Sequence, residues 1–351
     1  MNPTKKAGLK IQDSKDLLVE YIVAKQIELQ PVLSEYNFQQ KRSFYEDTEY
    51  HLSYLAESLK LNEPILFEEY IKWVKIFFST INLPPEHIIA NFKITKDALR
   101  LFFNEEGLEE ALTYLDNAID IFQSESPKFD SYILDDNPFK DIAQNYLNFL
   151  IEGNKDDASK LIFTTLENGA TIKDIYLNIF QVTQKEVGRL WQLGKIFVAQ
   201  EHFITAATQF IMSSLYSYIF SNPKQNKKIC IACINGELHE LGPRMIADLF
   251  ELNGWDAYYF GANTPQLSLI KAISLYKAKV IAISVTMTYN LSAVEELILK
   301  IRNDEAIKDV KIIVGGYPFN LTKDLWRNIG ADGYASNFDS ALALANYFYI
   351  Q

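Results

Sequence analysis

Glu237, His239 and Gly242 form a Glu-x-His-x-x-Gly pattern whose residue types could bind a metal. Imidazole nitrogen is a common metal ligand, and a carboxylate that accepts the Nδ1 proton leaves Nε2 free to bind. A glycine three residues after the histidine lets a bulky planar ligand lie close to the backbone. The pattern therefore predicts a site in which His239 is the metal ligand and Glu237 orients it.

Short apolar runs predict the strands that must position this pattern. Residues 229–234 are continuously apolar, as in a buried parallel strand, and Asn235-Gly236 marks a turn before the next helical pattern. His239 therefore lies in a loop at the carboxyl end of a strand, where open α/β sheets bind their ligands. Two further apolar runs end in conspicuous motifs, which are Ser284-Val285-Thr286 and Gly315-Gly316.

These three motifs, in this order, resemble the cobalamin-binding module, whose usual form is Asp-x-His-x-x-Gly. The resemblance implies a Rossmann-like (flavodoxin-like) domain over residues 226–351, with His239 replacing the cofactor's own benzimidazole below cobalt. Glu237 in place of aspartate is a departure that keeps the acceptor. An ordinary loop histidine in a doubly wound domain is the alternative. The residues implied to shape the slot for the nucleotide tail are Gly242, Ser284, Thr286, Gly315 and Gly316.

Four helical patterns precede this domain and predict a four-helix bundle over residues 137–221. Trp191 followed by nine residues and Glu201-His202 resembles the caps of cobalamin-dependent photoreceptors more closely than those of corrinoid methyl carriers. That resemblance implies that Trp191, Glu201 and His202 form a pocket for a 5′-deoxyadenosyl group. A core tryptophan and a helix-start glutamate are the alternative reading. Gln192 stands where some of these photoreceptors have a second histidine.

Residues 1–125 predict an all-α domain, with roughly the first 12 residues disordered. The domain resembles globin-like sensor domains, and its combination with a cobalamin module resembles the photocobilins, which hold adenosylcobalamin and biliverdin. Biliverdin would be bound noncovalently, because both cysteines, Cys230 and Cys233, lie on the predicted first strand. A haem would need His51 or His87, and neither has a recognisable axial context.

Composition narrows the classes of partner. The formal charge of -11 argues against a nucleic-acid surface, which needs a basic patch. No apolar run approaches the roughly 20 residues that span a bilayer, and there is no signal-peptide core. We expect a cytoplasmic protein that is not itself an enzyme, forms a light-dependent homo-oligomer and acts through itself or a separate signalling partner.

Three functions are consistent with these motifs. The first is a light sensor that binds adenosylcobalamin and biliverdin, in which photolysis of the Co–C bond changes domain packing or oligomeric state. The second is a corrinoid methyl carrier for a methyltransferase system, whose cap must move aside. The third is a cobalamin-dependent regulator that does not respond to light. The motifs above the cobalt favour the sensor.

Overall fold

The computed structural model describes residues 2–104, 106–125, 129–220 and 222–350. The chain divides into two compact units. The first unit is Met1–Pro127 with the short segments Met287–Ser292 and Asn320–Asn328. The second unit is Lys128–Thr286, Ala293–Phe319 and Ile329–Gln351. The second unit thus contains both the predicted bundle and most of the predicted α/β domain. The exact bounds 1–125, 137–221 and 226–351 remain predictions.

The first unit is helical, as predicted. Its helices are α1 Pro3–Asp13, α2 Lys15–Leu29, α3 Phe38–Leu61, α4 Pro64–Thr80, α5 Pro85–Phe102 and α6 Leu108–Gln123, with a short 3₁₀ turn at Pro31–Glu35. The prediction that the first residues are disordered was wrong. The Asn2 side chain caps α1 by accepting a hydrogen bond from Thr4 N at 3.0 Å. A Cβ on Gly8 would lie 2.5 Å from Ala56 O, so α1 packs very closely against α3.

The buried carboxylate of Glu57 connects α3 to the segment Met287–Ser292 of the first unit. Glu57 Oε2 lies 2.6 Å from Lys60 Nζ on the same helix, and both side chains are buried. Glu57 also accepts a hydrogen bond from the backbone N–H of Ser292. Burial raises the pKa of Glu57, and the charge of Lys60 opposes that rise. The carboxylate is therefore held by donors from both α3 and the segment Met287–Ser292.

His51 is buried inside the first unit, where its Nδ1 atom lies 2.8 Å from the hydroxyl of Tyr70. Its ring makes edge contacts with Phe78 and Phe92. Burial lowers the pKa of His51 from 6.5 to about 3, so the ring is neutral in the folded protein at neutral pH. His87, the other histidine of this region, is half-buried.

The second unit begins with a helical bundle, here called the cap (residues 140–219). Its helices are α7 Lys140–Ile151, α8 Lys155–Glu167, α9 Ile172–Asp174, α10 Gln181–Gln192, α11 Val198–Ser214 and α12 Tyr216–Ile219. A π-helical segment, Ile175–Phe180, connects α9 to α10 without interruption. Such wide turns are uncommon and often occur at functional positions.

A parallel sheet follows, with strand order β2-β1-β3-β4-β5. The strands are β1 Lys227–Cys233, β2 Trp255–Tyr259, β3 Val280–Ser284, β4 Lys311–Gly315 and β5 Gly333–Tyr334. The helices that follow β1 in the chain are α13 Leu241–Leu252, α14 Gln266–Tyr276, α15 Leu291–Arg302, α16 Tyr317–Leu321, α17 Leu325–Asn328 and α18 Phe338–Ile350, of which α17 belongs to the first unit. The predicted fold class is confirmed: a helical N-terminal region precedes a Rossmann-like domain. The strand order reverses between β1 and β3, which is where such sheets bind ligands.

The cap and the sheet share one hydrophobic core. Phe250 of α13 packs edge-to-face against Trp255 and Phe338. The hydroxyl of Tyr176, in the π-helical segment, donates to Asp248 of α13 at 2.9 Å. Within the described part of the chain, no helix combines the length and the apolar character needed to cross a bilayer.

We predict that His51 makes the protein less stable in acid. The folded pKa of about 3 lies below the reference value of 6.5. Above pH 6.5 the ring is neutral in both states, whereas below it only the unfolded chain binds the proton. Each pH unit between 6.5 and 3 should therefore remove about 1.4 kcal/mol of unfolding free energy.

The measurement is denaturant unfolding of His51→Gln and of the native chain at pH 7.5, 5.5 and 4.5. Glutamine keeps an acceptor for Tyr70 but does not titrate, so the variant should lose less stability on acidification. His87→Gln is the matched control. An equal pH dependence in all three proteins would contradict the assignment.

Candidate cofactor-binding site

His239 and Glu237 lie in the loop that joins β1 to α13. The His239 Nδ1 atom is 2.6 Å from Glu237 Oε1, and the His239 backbone N–H donates to the same oxygen at 3.0 Å. A carboxylate at Nδ1 fixes the proton there, so Nε2 carries the free lone pair. The histidine side chain is 57% exposed, whereas the glutamate side chain is fully buried. The histidine is therefore held firmly while its ring stays accessible.

The electrostatic surroundings of His239 agree with this geometry. The hydrogen bond to Glu237 raises the pKa of His239, partial burial opposes the rise, and the charges of Glu237 and Glu201 add to it. Glu201 lies in the first turn of the cap helix α11, so this part of the effect on the pKa of His239 comes from the cap. The structure thus brings Glu201 into the electrostatic environment of His239, on the cap side.

The second oxygen of Glu237 reaches the neighbouring strand. Glu237 Oε2 accepts a hydrogen bond from the backbone N–H of Thr286 at 2.8 Å. Cys233 at the end of β1 pairs in register with Ser284 at the end of β3, which brings the two loops together. Glutamate therefore bonds His239 and the β3 loop simultaneously, so the departure from aspartate preserves the orienting acceptor.

The predicted glycines have different local environments. A Cβ on Gly316, whose φ is +105°, would lie 1.9 Å from Val285 O, and a Cβ on Gly315 would lie 2.9 Å from Ala335 O. Both positions therefore need glycine for the packing of the chain itself. A Cβ on Gly242 would meet nothing within 4 Å, so the space beside it is open. That these glycines and Ser284 line a slot for a cofactor tail stays a prediction.

The residues predicted for the upper pocket lie in the cap. Trp191, near the end of α10, is half-buried, and Gln192 is buried. Glu201 Oε1 accepts a hydrogen bond from Thr205 Oγ1 at 3.4 Å, and its Oε2 lies 3.3 Å from His202 Nε2. The His202 side chain is 73% exposed. Their role around a bound group stays a prediction.

Sequence reasoning missed Glu240, the residue after His239. Glu240 Oε1 accepts a hydrogen bond from Gln209 Nε2 of α11 at 3.0 Å. Its Oε2 accepts hydrogen bonds from the Tyr259 hydroxyl at 3.1 Å and from Ala262 N at 3.0 Å. The carboxylate thus joins the cap, the end of β2 and the histidine loop. A carboxylate directly after the candidate ligand was the available signal.

A parallel sheet with an oriented histidine at its switch point, next to a helical bundle, defines a cofactor-binding module. The family model described as "B12 binding domain" matches residues 227–343, and a second model of the same description matches residues 142–216. The chain thus matches B12-binding domains in two regions, which supports a corrinoid or cobalamin cofactor. Neither match extends into helices α1 to α6 of the first unit.

Corrinoid proteins match about half of the chain. A corrinoid protein of Desulfitobacterium hafniense (strain Y51) is 23% identical over 202 residues, 56% of this chain and 92% of that protein. Dimethylamine corrinoid protein 1 of Methanosarcina mazei is 26% identical over 176 residues, 49% of this chain and 80% of that protein. The structure of Methanosarcina barkeri monomethylamine corrinoid protein matches with a TM-score of 0.52 and 21% identity, over 61% of this chain and 100% of that one. This structural likeness concerns the fold.

We predict that His239→Ala abolishes or greatly weakens cobalamin binding, because it removes the candidate cobalt ligand. Glu237→Gln should weaken binding about 10- to 100-fold, as removal of an orienting partner does at other metal-bound histidines. Titration of each variant with cobalamin, followed by absorption, gives the affinities. His87→Ala in the first unit is the control. Native affinity in His239→Ala would refute the ligand assignment.

Proposed function

We propose that this protein carries a cobalamin with His239 beneath the cobalt and the cap over the opposite face. The observation that carries the proposal is the arrangement of His239, Glu237 and Thr286. A buried carboxylate accepts from the histidine ring and from the next strand, and it leaves Nε2 free for a metal. The donor set fits cobalt, since imidazole is a suitable ligand for transition metals.

The first candidate function is that of a methyl carrier for a methyltransferase system. The similarity to dimethylamine and monomethylamine corrinoid proteins favours it over the light sensor. Bound cobalamin would supply a cobalt that accepts and gives up a methyl group. The chain itself would bind the cofactor, orient its lower face and cover its upper face, while a separate methyltransferase performs the transfer.

The second candidate function is that of a light sensor that binds adenosylcobalamin. The residues that favour it are Trp191, Glu201 and His202 of the cap. The charge of Glu201 contributes to the raised pKa of His239, which supports a position of Glu201 and the adjacent His202 near the cofactor. A carboxylate can bond ribose hydroxyls, and a large aromatic ring can pack against adenine. In this candidate the first unit binds biliverdin noncovalently, and light changes the domain packing or oligomeric state.

Cofactor preference separates the two candidates. The full chain is titrated in the dark with methylcobalamin and with adenosylcobalamin, and its size is then compared in the dark and after green light. Preference for methylcobalamin with an unchanged size supports the carrier. Preference for adenosylcobalamin with a light-dependent size supports the sensor, and a separate red absorption band after addition of biliverdin would extend it. Failure to bind either form would overturn the proposal.

We predict that Trp191→Ala preserves cobalamin binding and, in the sensor candidate, reduces the preference for adenosylcobalamin over methylcobalamin. The reason is that an indole ring offers a large apolar surface to adenine and none of comparable extent to a methyl group. The ratio of the two dissociation constants is the measured quantity. Trp73→Ala in the first unit is the control for removal of a tryptophan. An unchanged ratio would remove Trp191 from the pocket.

A further inference from the structure

Three side chains of α13 contact the cap, and they lie four residues apart. Glu240, at the N-terminal cap of α13, bonds Gln209. Arg244 donates from Nη2 to Ser213 Oγ at 2.6 Å. Asp248 accepts the hydroxyl of Tyr176 at 2.9 Å. A spacing of four places Glu240, Arg244 and Asp248 along one face of the helix, here called the polar stripe.

The polar stripe runs from a half-buried end to a buried end. Glu240, the residue after His239, and Gln209 are half-buried, whereas Asp248 is only 5% exposed. This burial raises the pKa of Asp248 to about 6, while the hydrogen bond from Tyr176 and the charge of Arg244 oppose the rise. The two ends therefore respond differently when the cap separates from α13.

Separation at the two ends has unequal consequences. Without Gln209, Glu240 still accepts hydrogen bonds from Tyr259 and Ala262, and water can reach the oxygen that is released. At the other end, separation would open to water the shared hydrophobic core in which Tyr176, Met245 and Leu249 are buried, which is strongly unfavourable. The bond to Gln209 is thus easy to break, and the bond to Tyr176 is not.

The backbone at the buried end is also unusual. Tyr176 lies within the π-helical segment Ile175–Phe180, where the regular hydrogen-bond ladder of the long cap helix is interrupted. Helices bend most readily at such segments. The firm contact and the irregular backbone therefore coincide at the end of the polar stripe distant from His239.

We propose that the cap opens about a hinge at Tyr176 and Asp248, and that Gln209 and Glu240 are the latch that keeps it closed beside His239. Glu240 is a positioning residue, since it holds the histidine loop to β2 whether or not the latch is engaged. The inference rests on the proposed function, because a cap matters only where a cobalt-bound group must be covered and uncovered. Its test, however, needs no cobalamin.

The test is a distance measurement between spin labels on the full chain without cofactor. Lys195→Cys in the loop before α11 and Lys271→Cys on α14 provide two exposed sites. The native thiols of Cys230 and Cys233 do not compete, because both are buried and burial raises the pKa of each to about 12. Pulsed electron–electron double resonance then measures the distance between the label on the cap and the label on the α/β domain.

Two opposite changes at one position test the latch. Gln209→Glu sets a carboxylate against Glu240 and should add a population at longer distance. Gln209→Lys forms an ion pair with Glu240 and should narrow the distribution around the shorter distance. Gln144→Glu, the same change on an exposed position of α7, should leave the distribution unaltered. Identical distributions in both Gln209 variants would overturn the proposal.

Thermal unfolding tests the hinge. Tyr176→Phe removes the donor to Asp248 and should lower the melting temperature, whereas Gln209→Glu should leave it nearly unchanged. If Gln209→Glu lowers the melting temperature as much as Tyr176→Phe does, the bond between Gln209 and Glu240 is simply structural, and the latch is refuted. If the native chain does not bind cobalamin, the proposed function is refuted, but the spin-label distances still decide whether the latch exists.

Discussion

The buried carboxylate of Glu237 is the interaction on which the candidate site depends. Its two oxygens accept hydrogen bonds from the backbone and ring of His239 and from the backbone of Thr286. A carboxylate removed from water needs such donors, because an unpaired buried charge is very unfavourable. The same bonds that make Glu237 tolerable therefore set the histidine ring, the β1 loop and the β3 loop in one arrangement. The orientation of His239, the candidate metal ligand, is thus a consequence of local folding.

The sequence was sufficient to predict this arrangement because apolar runs mark the strands and parallel strands end at a common edge. Glu237, His239 and Thr286 each follow such a run, so their proximity follows from topology. The exact donors were beyond sequence reasoning, since the partner of Glu237 on β3 is a backbone N–H and carries no residue signature. The glycine pair illustrates a second limit. The sequence pattern predicts that the two glycines make room for a ligand. In the structure, a side chain on Gly315 or Gly316 would clash with the backbone of the protein itself.

Other features depend on packing between distant parts of the sequence. Helix α1 is polar enough to suggest disorder, but Asn2 and Pro3 supply a helix start and Gly8 permits close contact with α3. The bond between Gln209 and Glu240 exists only because the cap and the sheet share a core, and no short motif encodes that docking. The π-helical turn at Ile175–Phe180 likewise could not be predicted from the sequence, since an uninterrupted helical pattern continues through it. Long-range docking, rather than local propensity, decides these features.

The lower face of the site does not separate the two candidate functions, because a carrier and a sensor need the same oriented histidine. The difference lies in how long the upper face stays covered. A carrier must expose the cobalt to a separate enzyme in each cycle, whereas a sensor must keep the bound group enclosed until light removes it. A cap fixed firmly at Asp248 and weakly at Glu240 has a closed state whose stability a few residues can adjust. The predicted contacts of the bound group, Trp191 and Glu201, would in this proposal determine which of the two functions the shared scaffold performs.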